Sequence, residues 1–230
     1  SEMCIRDRQW ADAVNPAVPG SGSNRKIYLG HNFNYLCEDE FFPDPLIDTG
    51  LTLNVRLRLT PPEEVKDFES AGVTAPDGMG PQANGKGLIT VYWIPVAPTV
   101  DDPVRKLPIY LYSDADGNFW LVVGVGREQD VIRAYLGSTP EEGTQFVNVW
   151  VTIERVENPE RGPLVHHVAV YLNGSPDLYM EKDVVLDTGD VEDESGTGNV
   201  IVMGTMSTPE VVAFQLDFLR IAAGVFAPQP

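Results

Sequence analysis

Leu51-Thr52-Leu53-Asn54-Val55-Arg56-Leu57-Arg58-Leu59 is the stretch that decides the fold. Every odd position is aliphatic and every even position is polar. In an extended strand successive side chains point to opposite faces, so the odd positions line a core and the even positions face away from it. The stretch therefore reads as a strand with an apolar inner face and a polar outer one.

The same period recurs further along the chain. Val147, Val149, Val151 and Ile153 alternate with Asn148, Trp150, Thr152 and Glu154. Ile109 and Leu111 alternate with Tyr110 and Tyr112, and Phe119, Leu121 and Val123 with Trp120 and Val122. Val168, Val170 and Leu172 alternate with His167, Ala169 and Tyr171, and Phe214, Leu216 and Phe218 with Gln215 and Asp217. Strands are predicted over 26–30, 32–36, 51–60, 88–95, 107–113, 118–125, 131–136, 146–155, 165–173, 178–185, 199–205 and 211–222, bounded by Gly, Pro, Asn and Asp. Asp116-Gly117 and Asn173-Gly174 read as turns, because these residues accept the positive φ that tight hairpins require. Residues 62–71 are the one place where a short helix is expected. Residues 61–87 and 187–199 read as long loops, which in a compact domain carry function or mobility. Residues 9–25, rich in Ala, Pro, Gly and Ser, read as a linker, and 26–228 as one domain. Many short antiparallel strands without helices imply an all-β fold, a two-sheet antiparallel jelly-roll sandwich.

Composition limits the partners. The chain has 230 residues, 43% of them apolar, enough for a sizeable core. No apolar run approaches the roughly 18 residues of a membrane span, so no membrane insertion is expected. With 34 acidic against 16 basic residues and a net charge of −18, neither nucleic acid nor an anionic membrane surface is an expected partner. Asp187, Asp190, Asp193 and Glu194 gather in one loop with Gly189 and Gly196. Hard cations want clustered oxygens, so calcium is the candidate cofactor there, and a solvated acidic loop is the alternative. His166 and His167 are adjacent on a strand and point to opposite faces, and His31 stands apart, which argues against zinc.

The faces turned away from the core collect flat rings beside hydrogen-bonding groups: Arg56, Arg58, Tyr110, Tyr112, Trp120, Trp150, His167 and Tyr171. Sugars need that mixture, since C–H faces stack on rings while hydroxyls seek charged or amide partners. Aromatics are also good strand formers on any half-exposed face, and that is the structural alternative. For glycoside hydrolysis, Glu154 and Asp217 are the carboxylate pair that falls mid-strand on outer faces. For polysaccharide lysis, His167 with Tyr171 and Arg56 would supply a base and a uronate-neutralising group. No phosphate-cradling glycine loop and no Gly-x-Ser-x-Gly elbow is present.

Val149-Trp150-Val151-Thr152-Ile153, Val165 through Gly174 (Val-His-His-Val-Ala-Val-Tyr-Leu-Asn-Gly) and Phe214 through Ile221 with the Gly224-Val225-Phe226-Ala227-Pro228 tail resemble the paired and closing strands of laminin-G-like, concanavalin A-like domains. The resemblance covers 146–228. It implies a lectin-like module, often calcium-bound, in a secreted or surface protein. Some members of that superfamily are glycoside hydrolases or polysaccharide lyases. Their catalytic signatures, Glu-x-Asp-x-Glu or Arg-x-Glu-x-Arg with Gln-x-His, are not found in this chain. Met3-Cys4-Ile5-Arg6-Asp7-Arg8 resembles a translated sequencing adapter, a contaminant of metagenomic reading frames. Residues 1–8 are therefore set aside, Cys37 is left without a disulfide partner, and the signal region is expected to be missing. The expectation is a non-catalytic carbohydrate-binding or adhesion module, extracellular or at the cell surface, with poly- or oligosaccharide as partner and other domains of a longer chain beside it. A carbohydrate-active enzyme of the same fold and a purely structural domain are the alternatives.

Overall fold

The alternation at 51–59 forms β3 (Leu51–Leu59), a strand whose odd residues Leu51, Leu53, Val55, Leu57 and Leu59 are all buried. A computed structural model of the chain describes residues 3–5, 25–29, 46–59, 89–94, 105–113, 116, 118–124, 131–157, 160, 162, 165–186, 198–205 and 214–229. The other strands are β1 (Met3–Ile5), β2 (Arg25–Leu29), β4 (Ile89–Ile94), β5 (Arg105–Ser113), β6 (Phe119–Val123), β7 (Ile132–Gly137), β8 (Val147–Arg155), β9 (Val165–Leu172), β10 (Leu178–Val185), β11 (Gly198–Thr205) and β12 (Phe214–Ala223). They form two six-stranded sheets, ordered β1-β12-β3-β8-β9-β10 and β2-β11-β4-β5-β6-β7, with every pairing antiparallel. The fold is the expected all-β sandwich. Eleven of the strands overlap the sequence reading closely; the expected strand at 32–36 and helix at 62–71 lie outside the described residues. Residues Met3–Ile5, set aside on the sequence, pair through their main chain with Ile221 to Leu219.

The core lies between the inner faces. Leu53, Leu57, Val149, Val151, Val168, Val170 and Leu219 of the first sheet meet Ile89, Leu107, Ile109, Leu111, Leu121 and Ile132 of the second. The sheets also meet along one flank, where edge strands β7 and β10 run together. Tyr179 Oη donates a long hydrogen bond to the Arg133 carbonyl at 3.5 Å, and Lys182 Nζ donates to the Val131 carbonyl at 3.3 Å. On the outer face of the first sheet the C-terminal segment 224–229 forms a strap. Thr52 Oγ1 donates to the Gly224 carbonyl at 2.6 Å and accepts from Phe226 N at 2.9 Å, and Trp150 Nε1 donates to the Phe226 carbonyl at 2.7 Å.

Two helical turns were not anticipated, α1 (Leu46–Thr49) and α2 (Pro140–Gly143). The second carries a capping box: Glu142 N donates to Thr139 Oγ1 at 3.3 Å, while Glu142 Oε2 accepts from Thr139 N at 3.2 Å. Gly143, at its end, sits against Phe119, and a Cβ there would fall 2.0 Å from the ring. Gly143→Ala is expected to destabilise the fold by about 1–3 kcal/mol through overpacking, read as a lowered urea midpoint at unchanged slope. An unchanged midpoint would mean that Phe119 is not seated on this turn.

Candidate functional site

The structure distributes the anticipated ligand residues over two sheets, so they do not share one face. Arg56, Arg58, Trp150, His167 and Tyr171 stand on the first sheet, with Glu154 and Asp217. Trp120 stands on the second, where Tyr110 and Tyr112 pair with Val122 and Trp120. Period-two reading gives each residue its face relative to the core, but it cannot say which of two sheets a strand joins.

The outer face of the first sheet is occupied largely by contacts among its own residues. Arg56 Nη1 pairs with Asp217 Oδ2 at 2.5 Å, beside the bulge that turns Asp217 outward from β12. Arg58 donates through Nε and Nη2 to Gln215 Oε1 at 3.0 and 2.9 Å. Both guanidinium groups lie over Phe146, 4.7 and 4.9 Å from the ring centre. Trp150 gives its indole N–H to the strap.

These placements separate the groups on which either catalytic reading relied. Arg56, the partner of Asp217, lies opposite Asn148 on β8, six residues from Glu154. At about 3.3 Å per residue that is roughly 20 Å, whereas two carboxylates sharing a glycosidic bond stand about 5–9.5 Å apart. His167 lies opposite Glu154, so it is as far along the sheet from Arg56, with Tyr171 four residues away on its own strand. The three lyase candidates do not converge on one point.

His167 has other partners. Its Nδ1 lies 2.9 Å from Asp183 Oδ1 and its Nε2 3.3 Å from Glu181 Oε2, both on β10. The bond to Asp183 raises the imidazole pKa above 6.5; partial burial works against this, and Glu181 adds to it. His166, one residue earlier, points into the sandwich and is fully buried. Its Nε2 lies 3.4 Å from Asp48 Oδ1 of α1, and the same carboxylate pairs closely with the buried Arg105 and stands 3.8 Å from Arg155. Burial opposes the charge on Asp48. The bonds from His166 and Arg105 and the charges of Arg105 and Arg155 outweigh it, holding the carboxyl at about 2 against an ordinary 3.8. This polar cluster ties α1, β5, β8 and β9 together at one end of the sandwich, and the sequence reading missed it.

The other missed residues form an exposed aromatic group at the flank. Tyr135 of β7 lies directly across from Trp120, and their rings meet edge to face at 5.3 Å and 68°. Tyr135 is 50% exposed. Tyr179, 42% exposed, falls at a bulge in β10, and a bulge redirects a side chain; its hydroxyl reaches across the seam to β7. Further in, Thr90, Pro108 and Val122 on the same side of the second sheet are buried, so the open rings mark its rim. The signal for Tyr135 was present in Ile132-Arg133-Ala134-Tyr135-Leu136, an alternation like those of the other strands. Nothing in the sequence marked the bulge at Tyr179.

Among the described residues no group of three His, Cys, Asp or Glu could hold a metal ion. The calcium candidates Asp187, Asp190, Asp193 and Glu194 lie outside those residues.

No family model matches the chain, and no curated protein matches it. Solved structures do resemble it. The carbohydrate esterase of Shiga toxin-encoding bacteriophage phi24B aligns with a TM-score of 0.43 and 12% identity over 78% of this chain and 70% of that one. The calcium- and mannobiose-bound exoplasmic/lumenal domain of VIP36 aligns with a TM-score of 0.36 and 11% identity over 81% and 71%. The binding domain of botulinum neurotoxin DC, solved with rat synaptotagmin II, aligns with a TM-score of 0.40 and 12% identity, over 99% of this chain but 44% of that one.

Proposed function

We propose that the chain is a non-catalytic carbohydrate-binding module whose sugar platform is the Trp120–Tyr135 pair. The half-exposed Tyr135 ring, set by the edge-to-face contact with Trp120, carries the reading. An exposed ring fixed by a neighbour loses little freedom when the C–H face of a sugar stacks on it. Arg133, exposed two residues earlier on β7, and the hydroxyl of Tyr179 offer polar groups for sugar hydroxyls. The proposal extends to an extracellular or surface location and to calcium in the acidic loop around Asp187–Glu194.

The test is electrophoresis in native gels containing laminarin, xylan, pectate or alginate, with and without EDTA, with polymer size followed in parallel. Retardation by at least one intact polymer is expected. Tyr135→Ala should weaken that retention by about tenfold, the worth of one well-placed ring contact. Arg56→Ala, on the other sheet, should leave it unchanged. Shortened polymer would overturn the non-catalytic reading, and a wild-type response from Tyr135→Ala would overturn the platform.

A further inference from the structure

The pairing register sets up a row of three groups across the outer face of the first sheet. Glu154 of β8 lies opposite His167 of β9, and His167 lies opposite Asp183 of β10. Glu181 of β10 reaches the second ring nitrogen. The imidazole therefore stands between two carboxylates of β10, and Glu154 holds the register position across from it on β8. Lys182, between Glu181 and Asp183 in sequence, does not share this row; its ammonium group bonds across the seam to Val131.

β10 is the edge strand of its sheet, and only β9 pairs with it among the described strands. Edge strands open locally more readily than central ones, because a single ladder holds them. The same strand carries Tyr179 to the aromatic rim, two residues from Glu181. We infer that His167 is a proton-operated clamp that seats β10, and through it Tyr179, beside the Trp120–Tyr135 platform. The clamp itself stands on the row of charges; its consequence for sugar binding rests on the proposed function above.

The direction follows from the charges. A protonated ring donates from both nitrogens, one to each carboxylate, and its single positive charge reduces their repulsion. A neutral ring donates from one nitrogen only, and Glu181 and Asp183 are then left to repel one another. His167 holds its proton more tightly in the fold. The clamp is therefore fully present below the ordinary imidazole value of 6.5 and is lost as pH rises through the higher value in the fold.

Amide exchange of the ligand-free protein tests the clamp, at pH 6 and pH 8.5, after correction for the intrinsic rate. The protection of β10 amides should fall by about two- to fivefold at the higher pH, the fold-change an exposed ion pair is worth. The amides of Val168 and Val170, within β9, should hold. In His167→Gln the β10 amides should be alike at both pH values, and the β9 amides report whether the variant is folded. Equal β10 protection in the wild type, or the same fall in His167→Gln, would overturn the clamp. Retardation in laminarin, xylan, pectate and alginate gels at the two pH values tests the link to Tyr179. Loss of retention over the same range supports it, and retention that ignores pH while β10 loosens overturns it. If no polymer retards the protein at either pH, the sugar reading falls while amide exchange still decides the clamp.

Discussion

Asp48→Asn is expected to cost the fold about 2–3 kcal/mol, the worth of a carboxyl held at about 2 instead of its ordinary 3.8. Arg105 is 5% exposed and His166 is fully buried, and both face the Asp48 carboxylate. Asn keeps the shape of Asp48 and removes its charge, so the buried guanidinium loses the attraction of this carboxylate. The loss should appear as a lowered urea midpoint at constant slope. The same residue sets an acid limb. Because folding depresses the Asp48 pKa from 3.8 to about 2, its contribution is complete above 3.8 and disappears as pH falls through about 2. Asp48→Asn should flatten that part of the stability–pH curve. A variant as stable as the wild type, with the acid limb intact, would show that the cluster does not hold α1 against the sandwich.

Leu53→Ala should cost about 2–5 kcal/mol. Leu53 is fully buried at the middle of β3, and its register partners Val151 and Ile221 are buried as well. Three hydrogen-bonded strands fix the backbone around the gap, so the cavity cannot collapse cheaply, and the cost belongs in the upper part of the range. Arg56→Ala makes the contrast: the Arg56–Asp217 pair is nearly half exposed, where such pairs contribute about 0–1 kcal/mol. Equal losses from the two variants, measured by denaturant, would mean that β3 does not set Leu53 in the core and Arg56 away from it.

The sheets were legible because a strand reveals its own faces. The run Leu51–Leu59 needs no partner to declare an inner and an outer side, and the same holds for Val147–Ile153 and Val168–Leu172. Sheet membership was not legible, because pairing depends on the path of the chain. Trp120 and Trp150 therefore read alike as outer-face rings with their sheets left open, and the fold sets them on different sheets. The same limit explains Glu154 and Asp217, both outward-facing as expected and still roughly 20 Å apart along the strands. The cluster at Asp48 escaped for a related reason. His166 was placed on the opposite face to His167, but Asp48 and Arg105 lie far from it in sequence, and no period marks such a meeting. The turn at Pro140–Gly143 was missed although its local signal was present: Ser138-Thr139-Pro140-Glu141-Glu142-Gly143 has cap, proline and returning glutamate in place.

The strap over the first sheet turns Trp150 into an optical gauge. Its indole N–H is bonded to the Phe226 carbonyl, whereas Trp93 packs against the core and Trp120 against Tyr135. When segment 224–229 lifts, that indole exchanges a carbonyl for water, and its emission moves to the red without any change in the sandwich beneath. The chain thus carries a fluorescent marker for the docking of its own C-terminal segment.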